Sequence, residues 1–197
     1  MSKRAFDWLA SSLGLLLLMP LLVVLAIWIK LDSVGPVFFR QERVGMGGKS
    51  FRIHKFRTMV TDAEKRGLQI TVGIDARVTR VGQWLRKYKL DELPQLLDVW
   101  LGHMSLVGPR PEVPRYVACY PADIRDIVLA VRPGITDKAS IEFKDENEIL
   151  GKAADPNEAY IQEVLPIKLG YYVEYVQSRS LWGDVNLIIR TIKALIR

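Results

Sequence analysis

The sequence predicts an α+β fold, mostly helical, with a small β-hairpin, an apolar membrane helix at the amino end and an amphipathic helix at the carboxyl end. Three observations carry that expectation. No charged residue occurs from Leu9 to Ile29, and a helix of that length, at ~1.5 Å per residue, matches a hydrocarbon core ~30 Å thick. Two short β-prone runs, Val37–Gln41 and Ser50–Phe56, flank a loop that holds Gly45, Gly47 and Gly48, which is a hairpin pattern. Apolar residues recur at helical spacing at Leu93, Leu96, Leu97 and Trp100, and again from Leu181 to Ile196.

A chain of 197 residues has room for one folded domain, here 31–197, behind a membrane-inserted segment, 1–30. The net charge of +6 favours anionic partners: nucleic acid, anionic lipid or phosphorylated small molecules. Cys119 is the single cysteine, so an intrachain disulfide is excluded, which suits a reducing compartment. With His54 and His103 far apart, no zinc pattern exists. Neither repeats nor low-complexity tracts are present.

The apolar run is too long for a secretory signal, and it ends in Trp28-Ile29-Lys30 rather than in a small-residue cleavage site. Basic residues stand on both sides of it, Lys3 and Arg4 before, Lys30, Arg40 and Arg43 after. The positive-inside tendency would keep both flanks on the cytoplasmic face. Pro20, at the midpoint, removes a backbone hydrogen bond and can bend the helix, while Ser11, Ser12 and Gly14 can help to satisfy or pack a broken one. A helix that enters, bends at Pro20 and returns fits these facts; composition equally allows a single kinked span.

Ser33-Val34-Gly35-Pro36 is a turn signal ahead of the hairpin. The hairpin glycines lack a following Walker pattern and read as turn residues. Lys55 and Arg57, at its end, either face an anion or are solvated charges. Thr61-Asp62-Ala63-Glu64 matches a capping box for a short helix closed by Gly67. Arg77, Arg80, Arg86, Lys87 and Lys89 then crowd the approach to Asp91 and Glu92, which looks like a charge-neutralised site.

Leu90-Asp91-Glu92-Leu93-Pro94-Gln95-Leu96 is the centre of the chain. Pro94 is tolerated in a first helical turn. The two carboxylates are expected at the helix's amino end, where free N–H groups and the dipole lower a carboxylate pKa. An ionised Asp there can act as a nucleophile, with the basic run holding an anionic substrate; equally, acidic residues are ordinary helix starters. Farther on, Pro109 and Pro111 bracket Arg110. They leave it in a stiff, extended loop suited to gripping phosphate oxygens bidentately, or simply in a rigid turn. His103 reads as a structural or surface residue.

Four ordered motifs, Lys55-Phe56-Arg57-Thr58-Met59, Leu90–Leu96, Met104–Pro111 and Arg132-Pro133-Gly134-Ile135-Thr136, resemble those of the bacterial sugar transferases, the monotopic (PglC-like) phosphoglycosyl transferases. The resemblance runs from about Lys3 to the carboxyl end. It implies an Asp-Glu catalytic dyad at Asp91 and Glu92, and an amino-terminal helix broken at Pro20 that re-enters the cytoplasmic leaflet. One departure stands out. Asp137-Lys138-Ala139-Ser140 and the acidic stretch Glu142–Glu148 replace the usual Gly-Leu and polar loop, which bears on the sugar rather than on the chemistry. Asp155-Pro156-Asn157-Glu158 is a capping-box helix start, although the resemblance also allows Asp155 a substrate contact. The last helix, with Arg190, Lys193 and Arg197 among its apolar positions, either packs on a core or lies in the membrane interface.

The resemblance implies transfer of a phospho-sugar from a UDP-sugar to a polyprenyl phosphate such as undecaprenyl phosphate. Asp91 is then the nucleophile that forms an aspartyl-phosphosugar and releases UMP, the first membrane step of glycan assembly. Mg2+ near Asp91 and Glu92, with Arg86 and Arg110 as clamps and Lys55, Pro109 and Pro111 supporting substrate contact, would meet the transition state's charge. Location follows: the bacterial inner membrane, with the catalytic domain on the cytoplasmic face, membrane lipids as partners and no nucleic acid. A membrane-anchored basic binding or scaffolding protein for anionic lipid or nucleic acid is the alternative. It gives Asp91 and Glu92 no task. Which sugar, which polyprenol, which glycan and what oligomeric state are not written in the sequence.

Overall fold

A computed structural model describes residues 2–63, 75–142 and 150–196, with side chains to Ala194. The described residues are mostly helical, with three two-stranded sheets. Most of the capping-box helix expected at Thr61–Gly67, and the acidic stretch after Glu142, fall outside them.

Helix α1 (Lys3–Asp32) runs through Pro20 as one 30-residue element, so the expected break is not a break in helical assignment. It is long and apolar enough to cross a membrane by length and composition. Ser11 and Ser12 donate to the Trp8 carbonyl rather than to a carbonyl freed by the proline. Gly14 serves packing instead, because a Cβ there would stand 3.3 Å from Leu96. Both ends of α1 rest on the rest of the chain. Near its start, Lys3 Nζ donates to Asp184 at 2.6 Å, and Arg4 donates to the carbonyls of Val99 and Trp100. Near its end, Leu25 and Ile29 are buried with Phe56, Val81 and Leu85. Between them Leu16 and Leu17 are about 70% exposed.

The hairpin is present and more extensive than expected. Strand β1 (Phe38–Phe39) pairs antiparallel with β4 (Lys55–Phe56), and inside that ladder β2 (Glu42–Val44) pairs with β3 (Ser50–Arg52). Phe38 stacks on Phe56, ring centroids 5.7 Å apart. Arg57, a candidate anion contact, does something else. Its guanidinium donates to the carbonyls of Ser33 and Pro36 and to Ser33 Oγ, closing the turn that leaves α1.

Helix α2 (Arg80–Lys87) is capped by Thr79, whose side chain accepts the Gly82 N–H. It buries Val81, Gly82 and Leu85. A Cβ on Gly82 would lie 2.0 Å from the Thr58 carbonyl oxygen, a backbone atom that cannot step aside. Gly82→Ala is therefore expected to destabilise by about 3 kcal/mol through overpacking, read as a lower melting temperature in detergent. Lys89, at φ 54°, turns the chain out of α2. A 3-10 turn (Leu90–Glu92) follows, then helix α3 (Gln95–Leu101).

Strand β5 (Ser105–Val107) pairs with β6 (Gly134–Thr136) in parallel. This pairing was not anticipated. Gly108 and Gly134 meet there backbone to backbone, and a Cβ on Gly134 would lie 2.1 Å from the Gly108 nitrogen. Between these strands come α4 (Pro114–Val117) and α5 (Ala122–Leu129), and after them α6 (Lys138–Glu142). Then α7 (Pro156–Ala159), a π-helical turn (Tyr160–Val164) and α8 (Leu165–Ser178) run on continuously. The largest core lies here: Val113, Tyr116, Tyr120, Val128, Tyr160, Leu165, Leu169 and Tyr172 pack together. Helix α9 (Leu181–Ile196) closes the chain.

Candidate active site

Asp91 and Glu92 sit in the 3-10 turn ahead of α3, not in its first turn, and neither carboxylate caps the helix. Their surroundings differ sharply. Glu92 Oε1 accepts Lys55 Nζ at 2.9 Å and Arg110 Nη2, while Oε2 accepts Arg110 Nη1 at 3.2 Å. Asp91 is 9% exposed, and its Oδ1 is buried with no hydrogen-bond partner among the described residues. The expectation that both carboxylates are more acidic than usual holds for one only. Burial pushes the Asp91 pKa up, only partly opposed by Lys55. Burial would raise Glu92 as well, but Arg110 and Lys55 outweigh it and hold that carboxyl well below its ordinary value. Partner charges win at position 92 and desolvation wins at 91, next door.

Both carboxylates line a cavity of about 950 Å³. One part of its wall is cationic: Arg43, Lys55, Arg86, Lys89, Arg110 and Lys168. Arg86 Nε donates to Thr58 Oγ1 at 2.8 Å. The other part is apolar, with Phe6, Ala10 and Gly14 from α1, Leu93 and Leu96 from the Asp91 segment, and Val185, Ile188, Ile189 and Ile192 from α9. The cavity thus joins an anion-binding face to a greasy one.

Of the candidate residues, the fold brings Lys55, Arg86, Asp91, Glu92 and Arg110 together. Pro109 and Pro111 do not line this cavity. Their carbonyls accept the Gly134 N–H and Arg43 Nη1, which fixes the loop that presents Arg110. Asp155 stays a helix cap, with Oδ1 accepting the N–H groups of Asn157 and Glu158, and it too is absent from the cavity wall. Arg77 does not reach the site either; its guanidinium pairs with Asp75 and with the Ala63 carbonyl. Lys87 lies over the rings of Trp84 and Tyr88 on the surface of α2.

Sequence reasoning missed several wall residues. Arg43 donates to Gln41 and to the Pro111 carbonyl, and stands 3.8 Å from buried Glu112. Tyr160, in the π-helical turn, donates its hydroxyl to Glu112 Oε1. Lys168 places its ammonium 5.0 Å from the Tyr160 ring centroid. Only the carboxylate directly after the Pro111 motif offered a signal. Thr136 and Ser140 also line the cavity, so the departure at Asp137–Ser140 touches the site.

Among the described residues no group of three or more His, Cys, Asp or Glu side chains converges as a metal cage. The donor set suits Mg2+ in a sparer way, since that ion commonly takes one or two carboxylates and completes its shell with phosphate oxygens and water. Asp91 Oδ1 is one such unpartnered hard oxygen. The Glu92 oxygens are occupied by Lys55 and Arg110.

The whole chain, residues 1–197, matches the family model of the bacterial sugar transferases. It is 40% identical over 98% of its length to UDP-N-acetylgalactosamine-undecaprenyl-phosphate N-acetylgalactosaminephosphotransferase of Aeromonas hydrophila, covering 43% of that protein. It is 38% identical over 98% of its length to UDP-glucose:undecaprenyl-phosphate glucose-1-phosphate transferase of Caulobacter vibrioides, covering 69% of it. The Escherichia coli K12 protein of the same description is 39% identical over 96% of the chain, which covers 39% of it. The chain therefore spans well under half of two of these relatives, and the matched part carries the motifs and the cavity. It belongs to the bacterial sugar transferase family.

Proposed function

We propose that this chain transfers a sugar 1-phosphate from a UDP-sugar to a polyprenyl phosphate at the cytoplasmic face of a bacterial inner membrane. The supporting observation is the cavity itself: a buried carboxylate oxygen on Asp91 with no hydrogen-bond partner among the described residues, in a wall with six cationic side chains and an apolar part built from α1 and α9. A soluble nucleotide cannot use the apolar wall, and a free anion does not need it. A phosphate attached to a long hydrocarbon uses both.

In the proposed reaction, an Asp91 oxygen attacks the sugar-linked phosphorus. The bond from that phosphorus to the bridging oxygen breaks, UMP leaves, and an aspartyl-phosphosugar remains. A lipid phosphate oxygen then attacks the same phosphorus, the bond to the Asp91 oxygen breaks, and a polyprenyl diphosphate sugar forms. Arg86 and Arg110, which line the cavity beside Asp91, would meet the equatorial oxygens, where preorganised cations lower the barrier. Mg2+, held by Asp91 and the donor's own phosphates, would neutralise developing charge on those phosphates. Glu92 keeps Lys55 and Arg110 in place rather than acting as a second nucleophile.

Two features support a monotopic, re-entrant seating of α1. The helix is about 45 Å long by its rise, yet Lys3 and Arg4 at one end and Leu25 and Ile29 at the other dock on the same folded body. A crossing helix would carry one of those ends to the far side. Second, all five tryptophans, Trp8, Trp28, Trp84, Trp100 and Trp182, are 43–82% exposed. Indole favours the headgroup level of a bilayer.

The test is UMP release across a panel of UDP-sugars with undecaprenyl phosphate and Mg2+ in detergent or vesicles. Lipid-dependent UMP formation from one sugar or a few is the expected result. No UMP from any sugar would overturn the reading.

A further inference from the structure

Asp98 is fully buried on α3, and its carboxylate takes hold of His54 twice, with His103 Nδ1 farther off at 3.9 Å from Oδ1. Oδ2 accepts the backbone N–H of His54 at 2.8 Å, and Oδ1 lies 2.7 Å from His54 Nδ1. The histidine ring also meets Phe38 edge to face, centroids 6.1 Å apart. His54 is the residue before Lys55, and α3 begins just after Glu92. The same short helical unit therefore carries Glu92, which receives the Lys55 ammonium, and Asp98, which grips the neighbouring residue.

We propose that His54 and Asp98 form a pin that fixes Lys55 against Glu92, making both of them positioning residues for the reaction assigned above. The inference rests on that reading for its kinetic consequence but not for its geometry. Strand β4 has only two residues, and they face opposite ways: Lys55 toward Glu92, Phe56 into the core with Leu25, Val81 and Leu85. Two ladder pairs hold such a strand weakly, and a slip of one residue would exchange the faces, driving an ammonium into that core. The backbone N–H contact is open to any residue at position 54, so the ring contact is what His54 adds to hold the register of the strand. Lys55 in turn shares Glu92 Oε1 with Arg110, so a displaced Lys55 changes the geometry of the anion clamp.

The experiment has two arms, both on the full chain. In the first, amine acetylation followed by mass spectrometry reads the exposure of Lys55 without reference to turnover. Lys55 should be acetylated about tenfold faster in His54→Ala than in the unaltered protein. His54→Phe, which keeps the ring on Phe38 but lacks the donor, should match it. His54→Asn, whose Nδ2 can donate from nearly the same place as Nδ1, should restore slow labelling. In the second arm, kcat for UMP release should fall about 10- to 100-fold in His54→Ala, the scale of an ångström-level misplacement, with KM for the UDP-sugar within about twofold. The double variant His54→Ala/Lys55→Ala should be no slower than Lys55→Ala alone, because residues acting through one another are not additive. Equal Lys55 labelling in all variants, or a double variant whose loss is the product of the two single losses, would overturn the pin. An unaltered protein that makes no UMP would count against the transferase reading and leave the labelling arm to decide this one.

Discussion

Asp91→Asn is expected to abolish UMP release, with a loss of at least about 10³-fold in kcat, while the protein still partitions into membranes and melts no lower than the original. An amide is isosteric with the carboxylate but cannot form a stable bond to phosphorus and hand it on, so the loss falls on the chemical step. The stability half of the expectation comes from burial. Asp91 has a raised pKa in the folded state, so between the ordinary aspartate value and the raised one the folded chain binds more protons than the unfolded chain. Stability contributed by this group therefore falls as pH rises through that window, and at neutral pH its charge is a cost. Asn removes that cost. The same raised value places the acid limb of kcat/KM above the 3.8 of an ordinary aspartate, since attack needs the anion. Incubation with a UDP-sugar labelled in its sugar-linked phosphate should leave acid-precipitable label on the original protein and none on Asp91→Asn. Substantial turnover by that variant would remove the covalent step from the proposal.

Arg110→Ala should reduce kcat/KM by about 10²- to 10³-fold, the range for removing one preorganised charge partner of a developing oxyanion. Arg110 makes the only two-pronged contact with Glu92 among the described residues, and Arg110→Lys keeps the charge but not the fork, so it should recover little. A stability effect accompanies the kinetic one, since breaking a largely buried pair and stranding its partner costs about 3 kcal/mol. Its pH dependence has a definite sign. Glu92 is depressed well below 4.5 in the fold, so its stabilising contribution is present above the unfolded value and disappears as pH falls through the folded one. The gap in melting temperature between the original and Arg110→Ala should accordingly be widest near neutrality and close in acid. A gap independent of pH would mean that Glu92 is not what Arg110 stabilises.

Local sequence carried some parts of this site and was blind to others, for reasons that differ residue by residue. The Leu90–Leu96 stretch announced itself because Pro94 and the leucines obey helix-start rules. Arg110 did so because two prolines leave it few conformations. The long apolar helix needed nothing beyond composition. What periodicity could not show is environment. Asp91 and Glu92 are adjacent, both acidic and both at a helix entrance, yet one has an oxygen with no hydrogen-bond partner among the described residues and the other takes two cations from residues 37 earlier and 18 later. Arg57 read as an anion contact or a solvated charge and Arg77 as a cation crowding Asp91, but each turns inward to satisfy backbone oxygens or a neighbouring carboxylate. Three-residue parallel strands such as β5 and β6 are shorter than any pattern that alternation can reveal. Arg43, Glu112, Tyr160 and Lys168 come from separate elements that only tertiary packing unites.

The seam where Gly108 touches Gly134, with no side chain between them, joins two loops that an evolutionary tree would be free to vary separately. One loop leads to Arg110, the proposed phosphate clamp. The other leads through Thr136 into Asp137–Ser140, where Thr136 and Ser140 line the same cavity. Because bare backbone is in contact on both sides, a shift in the second loop is handed directly to the loop that presents Arg110. On the proposed function, a change at Asp137–Ser140 that moved this seam would also move the clamp, so the two loops answer to one another.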